Sequence, residues 1–147
     1  MWQAFVVIFF VSLLGSLTVS NFTTTARINR QAAIVSTGQQ FNVYGGAVSN
    51  WAKVNTGFTG TVSDSSLALP VYVSHIGITN YVTAGKSYIY LSGTSSVQGM
   101  TGGVVGYLSK KGNVAGVVSA GTLYSNNGNN LGTVPASIPN GSVVLEL

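Results

Sequence analysis

The sequence predicts an α+β fold in which an N-terminal transmembrane helix continues into an amphipathic helix that packs on an antiparallel β-sheet. The first twenty residues are almost entirely apolar, and the first ionisable side chain is that of Arg27. A stripe of apolar side chains with helical spacing follows between Tyr44 and Ala52, and from Val71 onward β-branched and aromatic residues alternate with turn signals. Beyond the anchor about 120 residues remain, enough for one compact domain.

The N-terminal apolar segment has the dimensions of a membrane span. A helix from Trp2 to Val19 would be roughly 27 Å long at about 1.5 Å per residue, which is close to the hydrocarbon thickness of a bilayer. Few polar side chains interrupt it, and none of them is charged. We therefore assign residues 1–25 to a membrane anchor with its polar junction, and residues 26–147 to a single folded domain.

A cleaved secretory signal is the alternative interpretation of this segment. Such signals have a basic start, a shorter apolar run and small residues before the cleavage site. Here no Lys or Arg precedes the run, and the tolerable cleavage site is the weak Thr18-Val19-Ser20. Orientation is open as well, because Arg27 and Arg30 follow the span and the positive-inside rule applied to them favours a cytoplasmic domain.

The composition bounds the class of protein. Charged residues make up only 5% of the chain, which is typical of a subunit that buries surface against copies or partners, although a plain extracytoplasmic β-rich domain would also fit. Cysteine is absent, so disulfides and thiolate chemistry are excluded. The six basic residues are spread along the chain, whereas nucleic-acid binding usually needs a clustered basic patch, and we expect no nucleic-acid partner.

Residues 26–55 are predicted to be helical, with bends or a break near Gly38 and the Gly45-Gly46 pair. The apolar stripe consists of Tyr44, Ala47, Val48, Trp51 and Ala52, continued upstream by Ile28, Ala32 and Val35. Since a sheet with one apolar face needs a cover, we expect this stripe to pack on it. Trp51 should lie in the core, so that its truncation to alanine costs about 3–5 kcal/mol, while Asn50 and Lys53 should face water.

Turn signals divide the second half of the chain into strands. A hairpin is predicted over residues 81–91, with its turn at Ala84-Gly85-Lys86. A second hairpin would pair residues 104–109 with residues 114–119, and residues 142–147 would form the last strand. The connecting segments are predicted to be a short helix or loop at residues 94–103 and a mobile surface loop at residues 124–133.

Side chains with catalytic potential are few. Asp64 and Glu146 are the only acidic residues, predicted in a loop and in the last strand, and His75 is the only histidine, predicted in a strand. A triad of Asp64, His75 and a serine is formally available, but no G-x-S-x-G motif accompanies it. A metal site would have too few ligands. We therefore predict no catalytic, cofactor-binding or metal site, and expect a protein that is not an enzyme and uses no cofactor.

Several motifs resemble the PilM family of type IVb (thin) pilus systems, which conjugative plasmids encode. The most specific are GFTGTVSD at residues 57–64 and LALP at residues 67–70, followed by Tyr88-Ile89-Tyr90 and by IPNG at residues 138–141. The resemblance implies a structural component of a type IV pilus assembly or secretion machine, active in pilus biogenesis and conjugation through protein–protein contacts. It also implies other pilus-assembly proteins or pilins as partners, an inner-membrane location, and room for a homo-oligomer.

The predicted architecture is also similar to that of type IV pilins. It departs from their pattern because no basic leader ending in Gly precedes a Phe, and because no Glu lies five residues into the apolar segment. Both departures argue against processing by a prepilin peptidase. A non-processed minor pilin or a surface adhesive module is therefore the alternative function. The pilin-like architecture implies a single-pass protein with its body in the periplasm, in spite of Arg27 and Arg30.

Overall fold

The predicted α+β architecture, a helix packed on an antiparallel sheet, is confirmed. The computed structural model describes residues 2–70, 75, 77–92 and 99–147, with side chains from Thr24 onward. By their contacts, the residues group into two units, Met1–Ala33 and Ile34–Leu147. The elements in chain order are α1 (Trp2–Val54), a 3-10 turn (Asp64–Ser66), β1 (Ile78–Thr83), β2 (Lys86–Leu91), α2 (Thr101–Ser109), β3 (Val114–Ser119), β4 (Thr122–Tyr124), β5 (Asn130–Thr133) and β6 (Val143–Glu146).

In the unit Met1–Ala33, the described residues form the N-terminal part of α1. Residues 24–32 of this helix are exposed, with Ile28 at 62% of its full accessibility. The next residue, Ala33, is half-buried. Within the residues whose side chains are described, no helix combines the length and the apolar character that a membrane span needs. The anchor predicted from Trp2 to Val19 lies outside those residues.

The unit Ile34–Leu147 contains one sheet with the strand order β1-β2-β6-β3-β4-β5, in which every pairing is antiparallel. The first predicted hairpin is confirmed: Ala84 and Gly85 connect β1 to β2 with φ angles of 50° and 75°, as a two-residue hairpin turn requires. The predicted last strand is confirmed as well. It inserts between β2 and β3, which makes the C-terminal strand a central one.

Two predictions for the second half are wrong. Residues 104–109 form part of the helix α2 because their buried side chains, Val104, Val105 and Leu108, follow helical spacing and not alternation. The close packing of α2 on α1 requires Gly103, where a Cβ would lie 3.0 Å from Cγ1 of Ile34. Residues 124–133 lie at the surface as predicted, all exposed except the half-buried Ser125, but they contain the end of β4 and the edge strand β5 rather than a loop alone.

The buried face of α1 differs in part from the predicted stripe. Tyr44, Val48 and Ala52 are buried as predicted, and they share the core with Ile34 and Phe41 of the same helix. The upstream continuation is wrong: Ile28 and Ala32 are exposed and Val35 is half-buried. At 3.6 residues per turn, Ile28 and Ala32 lie about 120° or more around the helix from Ile34.

The glycines of α1 do not break it. The helix continues through Gly38 and through Gly45-Gly46 to Val54, so the predicted break is wrong. A Cβ at Gly45 would lie 2.9 Å from Cδ1 of Leu147 and 3.1 Å from Cγ1 of Ile89. This glycine therefore allows the helix to approach the strands β2 and β6 closely, and tertiary packing outweighs its low helix propensity.

Trp51 is half-buried, not enclosed as the sequence predicted. Its ring meets that of Phe58 edge-on at a centroid distance of 4.9 Å, at the margin of the core. Phe41, which the predicted stripe omitted, is fully enclosed at 0% exposure. Asn50 and Lys53 are exposed, as predicted.

We predict that Phe41→Ala destabilises the domain more than Trp51→Ala does. Truncating an enclosed phenylalanine costs about 3–5 kcal/mol because it leaves a cavity, whereas part of the Trp51 site can fill with water. Lys53→Ala, the matched exposed control on the same helix, should change the free energy of unfolding by less than about 0.5 kcal/mol. Urea unfolding of a fragment that starts at Ala26 measures all three, and equal effects of Phe41→Ala and Trp51→Ala would contradict this assignment of the core.

Candidate functional site

A network of polar side chains lies beside the buried face of α1. The hydroxyl of Tyr44 donates to Oδ1 of Asp64 at 2.9 Å, and Nδ2 of Asn80 donates to the same hydroxyl at 2.7 Å. Nε2 of His75 lies 2.7 Å from Oδ2 of Asp64. Four residues from α1, the following loop, the segment before β1 and β1 itself are thus joined through one phenol and one carboxylate.

Regular structure places each end of the network. Tyr44 is fixed by the burial of its ring in the core. Asp64 begins the 3-10 turn, which is closed by the hydrogen bond from the amide of Leu67 to the carbonyl of Asp64, and the buried side chain of Leu67 attaches that turn to the core. Upstream, Gly60 and Val82 exchange two main-chain hydrogen bonds, so this part of the loop runs along the edge of β1.

Asn80 connects the loop to the sheet. Its Oδ1 accepts from the amide of Val62 at 2.8 Å, and its Nδ2 donates to the carbonyl of Val62 at 2.9 Å. The side chain thereby replaces a strand partner for Val62 while it also holds the hydroxyl of Tyr44. Because Asn80 is buried, at 1% exposure, these bonds satisfy polar groups that would otherwise be costly to enclose.

His75 stacks on the ring of Tyr44, with a centroid distance of 4.7 Å and an interplanar angle of 8°. It lies outside the strands, so its predicted placement in a strand is wrong. The reason is a turn: the amide of Ile78 donates to the carbonyl of His75, and Gly77 has a φ of +79°, which favours glycine. The turn brings the imidazole back over α1.

Hydrogen bonding and burial set the protonation states of Asp64 and Tyr44 near neutral pH. The hydrogen bond from His75 lowers the pKa of Asp64, and the bond from Tyr44 acts in the same direction, so the carboxyl group is ionised. The pKa of Tyr44 is raised to about 12, mainly by burial; the hydrogen bond from Asn80 opposes this shift and the neighbouring Asp64 adds to it. The phenol therefore keeps its proton and remains a donor to Asp64.

An open pocket of about 280 Å³ adjoins this network. Its lining residues are Tyr44, Thr61, Val62, Ser63, Asp64, Ile78, Thr79 and Asn80. The side chain of Asp64 is 52% exposed there, so its carboxylate is held from the protein side and faces solvent on the other. The pocket thus offers one oriented negative charge, and the hydroxyl-bearing residues Thr61 and Ser63 of the loop are among those that line it.

The other acidic side chain is occupied elsewhere. Oε1 of Glu146 on β6 accepts from Nζ of Lys86 on β2 at 2.7 Å, and the carboxylate raises the pKa of Lys86. Among the described residues, no three or more His, Cys, Asp or Glu side chains group together as metal ligands would. Each acidic side chain of the chain is therefore found with one basic partner and not with the other acid.

The pair Asp64 and His75, which the sequence offered only formally, is real in the structure. A catalytic triad would also need a serine on the other ring nitrogen of His75. In the described residues, that nitrogen, Nδ1, is enclosed without a hydrogen-bond partner and so activates no serine. Sequence reasoning missed Asn80, and it treated Tyr44 as apolar. Alternation along β1 places Asn80 on the same buried face as Ile78 and Val82. A polar residue at such a core position is the sequence signal that could have identified Asn80 as part of a polar network.

Together these features define a small α+β domain in which an N-terminal helix packs on a six-stranded antiparallel sheet and a polar pocket lies at one sheet edge. The PilM family model matches residues 8–146, and the chain belongs to this family. The resemblance found in the sequence is thereby confirmed. No curated protein matches the chain.

Two solved structures are similar to this chain. The PilM protein from Escherichia coli B7A is 17% identical with a TM-score of 0.50, and the match covers 84% of this chain and 94% of that chain. The PilM protein from Pseudomonas aeruginosa 2192 is 24% identical with a TM-score of 0.47, and the match covers 76% of this chain and 92% of that chain. At this identity, the likeness to the E. coli protein concerns the fold alone.

We predict that Asp64 makes the stability of the domain depend on acid pH. Because its folded-state pKa is lowered, its ionised form stabilises the folded protein above the unfolded value of about 4, and this contribution disappears as pH falls through the folded pKa. Thermal unfolding of the wild type and of Asp64→Asn should therefore differ at pH 7 and converge towards pH 2. A difference that is constant over this range would show that the carboxylate charge is not involved.

Proposed function

We propose that this protein is a structural component of a type IV pilus assembly or secretion machine and acts in pilus biogenesis and conjugation through protein–protein contacts. The observation that carries this proposal is the match of the PilM family model to residues 8–146, nearly the whole chain, which associates the protein with pili. The partners would be other pilus-assembly proteins or pilins, with room for a homo-oligomer.

The described residues support contacts rather than chemistry. The hydrogen bonds of Tyr44, Asp64, His75 and Asn80 join separate elements of the domain, and Nδ1 of His75 is enclosed without a hydrogen-bond partner, so it offers no route for a proton. A role without catalysis and without a cofactor is therefore part of the proposal. It would be overturned by an enzymatic activity that His75→Ala abolishes in a protein that remains folded.

The second part of the proposal is a single N-terminal span in the inner membrane with the domain in the periplasm. It rests on the apolar sequence from Trp2 to Val19 and on the helical backbone of α1 from Trp2 onward. The charge bias of Arg27 and Arg30 opposes this orientation, but two arginines are a small bias.

We predict that fusions of alkaline phosphatase after Thr25 and after Leu147 are both active, because both positions would lie in the periplasm. Matched fusions of green fluorescent protein, which matures in the cytoplasm, serve as the control and should be dark. The reverse pattern would place the domain in the cytoplasm. Mass spectrometry of the purified protein tests the anchor separately, since a chain that begins near Asn21 and is released without detergent would be a secreted protein with a cleaved signal.

Deletion of the protein should abolish assembled pili, and conjugation should fall with them, because a missing assembly component stops the machine. Electron microscopy of the cells and counts of transconjugants measure the two effects, and expression of the wild-type chain from a second plasmid is the control. Normal pili with lost attachment to recipient cells would contradict the assembly role and support a surface adhesive module. Recovery of the chain in sheared filaments would instead support a non-processed minor pilin.

A further inference from the structure

The carboxylate of Asp64 is the one acidic side chain that the described structure leaves open to a ligand. Glu146 is only 19% exposed and is bound to Lys86, whereas Asp64 is 52% exposed and lines the pocket beside β1. Each oxygen of Asp64 accepts one hydrogen bond, from Tyr44 or from His75, and each carboxylate oxygen can accept two. The carboxylate is therefore held in place and can still accept further hydrogen bonds.

We propose that this pocket binds a lysine side chain of a partner protein, with the ammonium group on the carboxylate of Asp64. The hydroxyl groups of Thr61 and Ser63, two residues that line the same pocket, accept the two remaining ammonium protons. The methylene stem lies along Ile78, the apolar residue of β1 at the pocket. This inference rests on the proposed function, because it names the chemistry by which one assembly partner is recognised.

The shape and bonding of the pocket select lysine among cationic ligands. A volume of about 280 Å³ is at the lower limit for a ligand site and suits one side chain. Tyr44 and His75 leave one acceptor position on each carboxylate oxygen, and the planar fork of an arginine would need both of these positions at once in a fixed geometry. An ammonium group is compact and needs only one of the positions that remain.

The lysine belongs to a different protein rather than to a second copy. The chain carries a net charge of +4, so two copies repel each other at long range. A partner that brings a lysine within a surface of lower net charge does not face this repulsion. The pocket then provides a specific position for one cation on a domain that otherwise disfavours cations.

The test is a titration of the full-length, ¹⁵N-labelled protein in zwitterionic detergent with Nα-acetyl-lysine amide. The matched ligand is Nα-acetyl-norleucine amide, which has the same stem without the charge. We expect saturable shifts of the amide signals of Ser63, Asp64 and Thr79 with a millimolar Kd, since a single partly exposed ion pair binds weakly. The norleucine ligand should bind about tenfold more weakly or not at all.

Two variants complete the test. Asp64→Asn should abolish the shifts, and Glu146→Gln, which changes the other acidic side chain, should leave the Kd unchanged. If Asp64→Asn disturbs the spectrum as a whole, Thr61→Tyr fills the pocket from an exposed position outside the network, and it should also abolish binding.

Equal binding of both ligands, or an unchanged Kd in Asp64→Asn or Thr61→Tyr, would overturn the proposal. Self-association in sedimentation that Asp64→Asn removes would overturn the assignment to a different protein. Absence of lysine binding together with loss of pili in the deletion strain would remove this site and leave the proposed function standing, so the two failures are distinguishable.

Discussion

The burial of one face of α1 against the inner face of the sheet is the constraint on which the rest of the structure depends. Ile34, Phe41, Tyr44, Val48 and Ala52 supply that face, and the strands meet it with residues such as Ile89 and Leu145. A sheet with one apolar face is stable only when that face is covered. The close approach at Gly45, and the packing of α2 through Gly103, both follow from the position of this helix.

The site is a consequence of the same packing. Tyr44 contributes its ring to the core and its hydroxyl to Asp64, so one residue couples the apolar interior to the polar pocket. Asn80 and His75 then fix the phenol and the carboxylate from the side of the sheet. A domain with only two acidic side chains thereby keeps one of them oriented at its surface.

Local patterns predicted the elements whose signals agree with their surroundings. The first hairpin and the last strand follow from turn signals and strand-forming residues, and the buried positions of Tyr44, Val48 and Ala52 follow from helical periodicity. Prediction failed where contacts distant in sequence decide: α2 is a helix although valine and glycine disfavour one, and Gly45 lies inside α1 because the strands approach there. The contact between Asp64 and His75 depends on the geometry of a loop and a turn, which the spacing of residues in the sequence does not predict.

A double-mutant cycle between Tyr44→Phe and Asp64→Asn tests most directly the claim that the buried helix face holds the site in place. Urea unfolding of the wild type, both single variants and the double variant gives the coupling free energy. A direct hydrogen bond between the two side chains predicts about 0.5–1.5 kcal/mol of coupling, and the control cycle between Lys53→Ala and Asp64→Asn should be additive. Additivity in both cycles would contradict the account, because the carboxylate would then be independent of the helix.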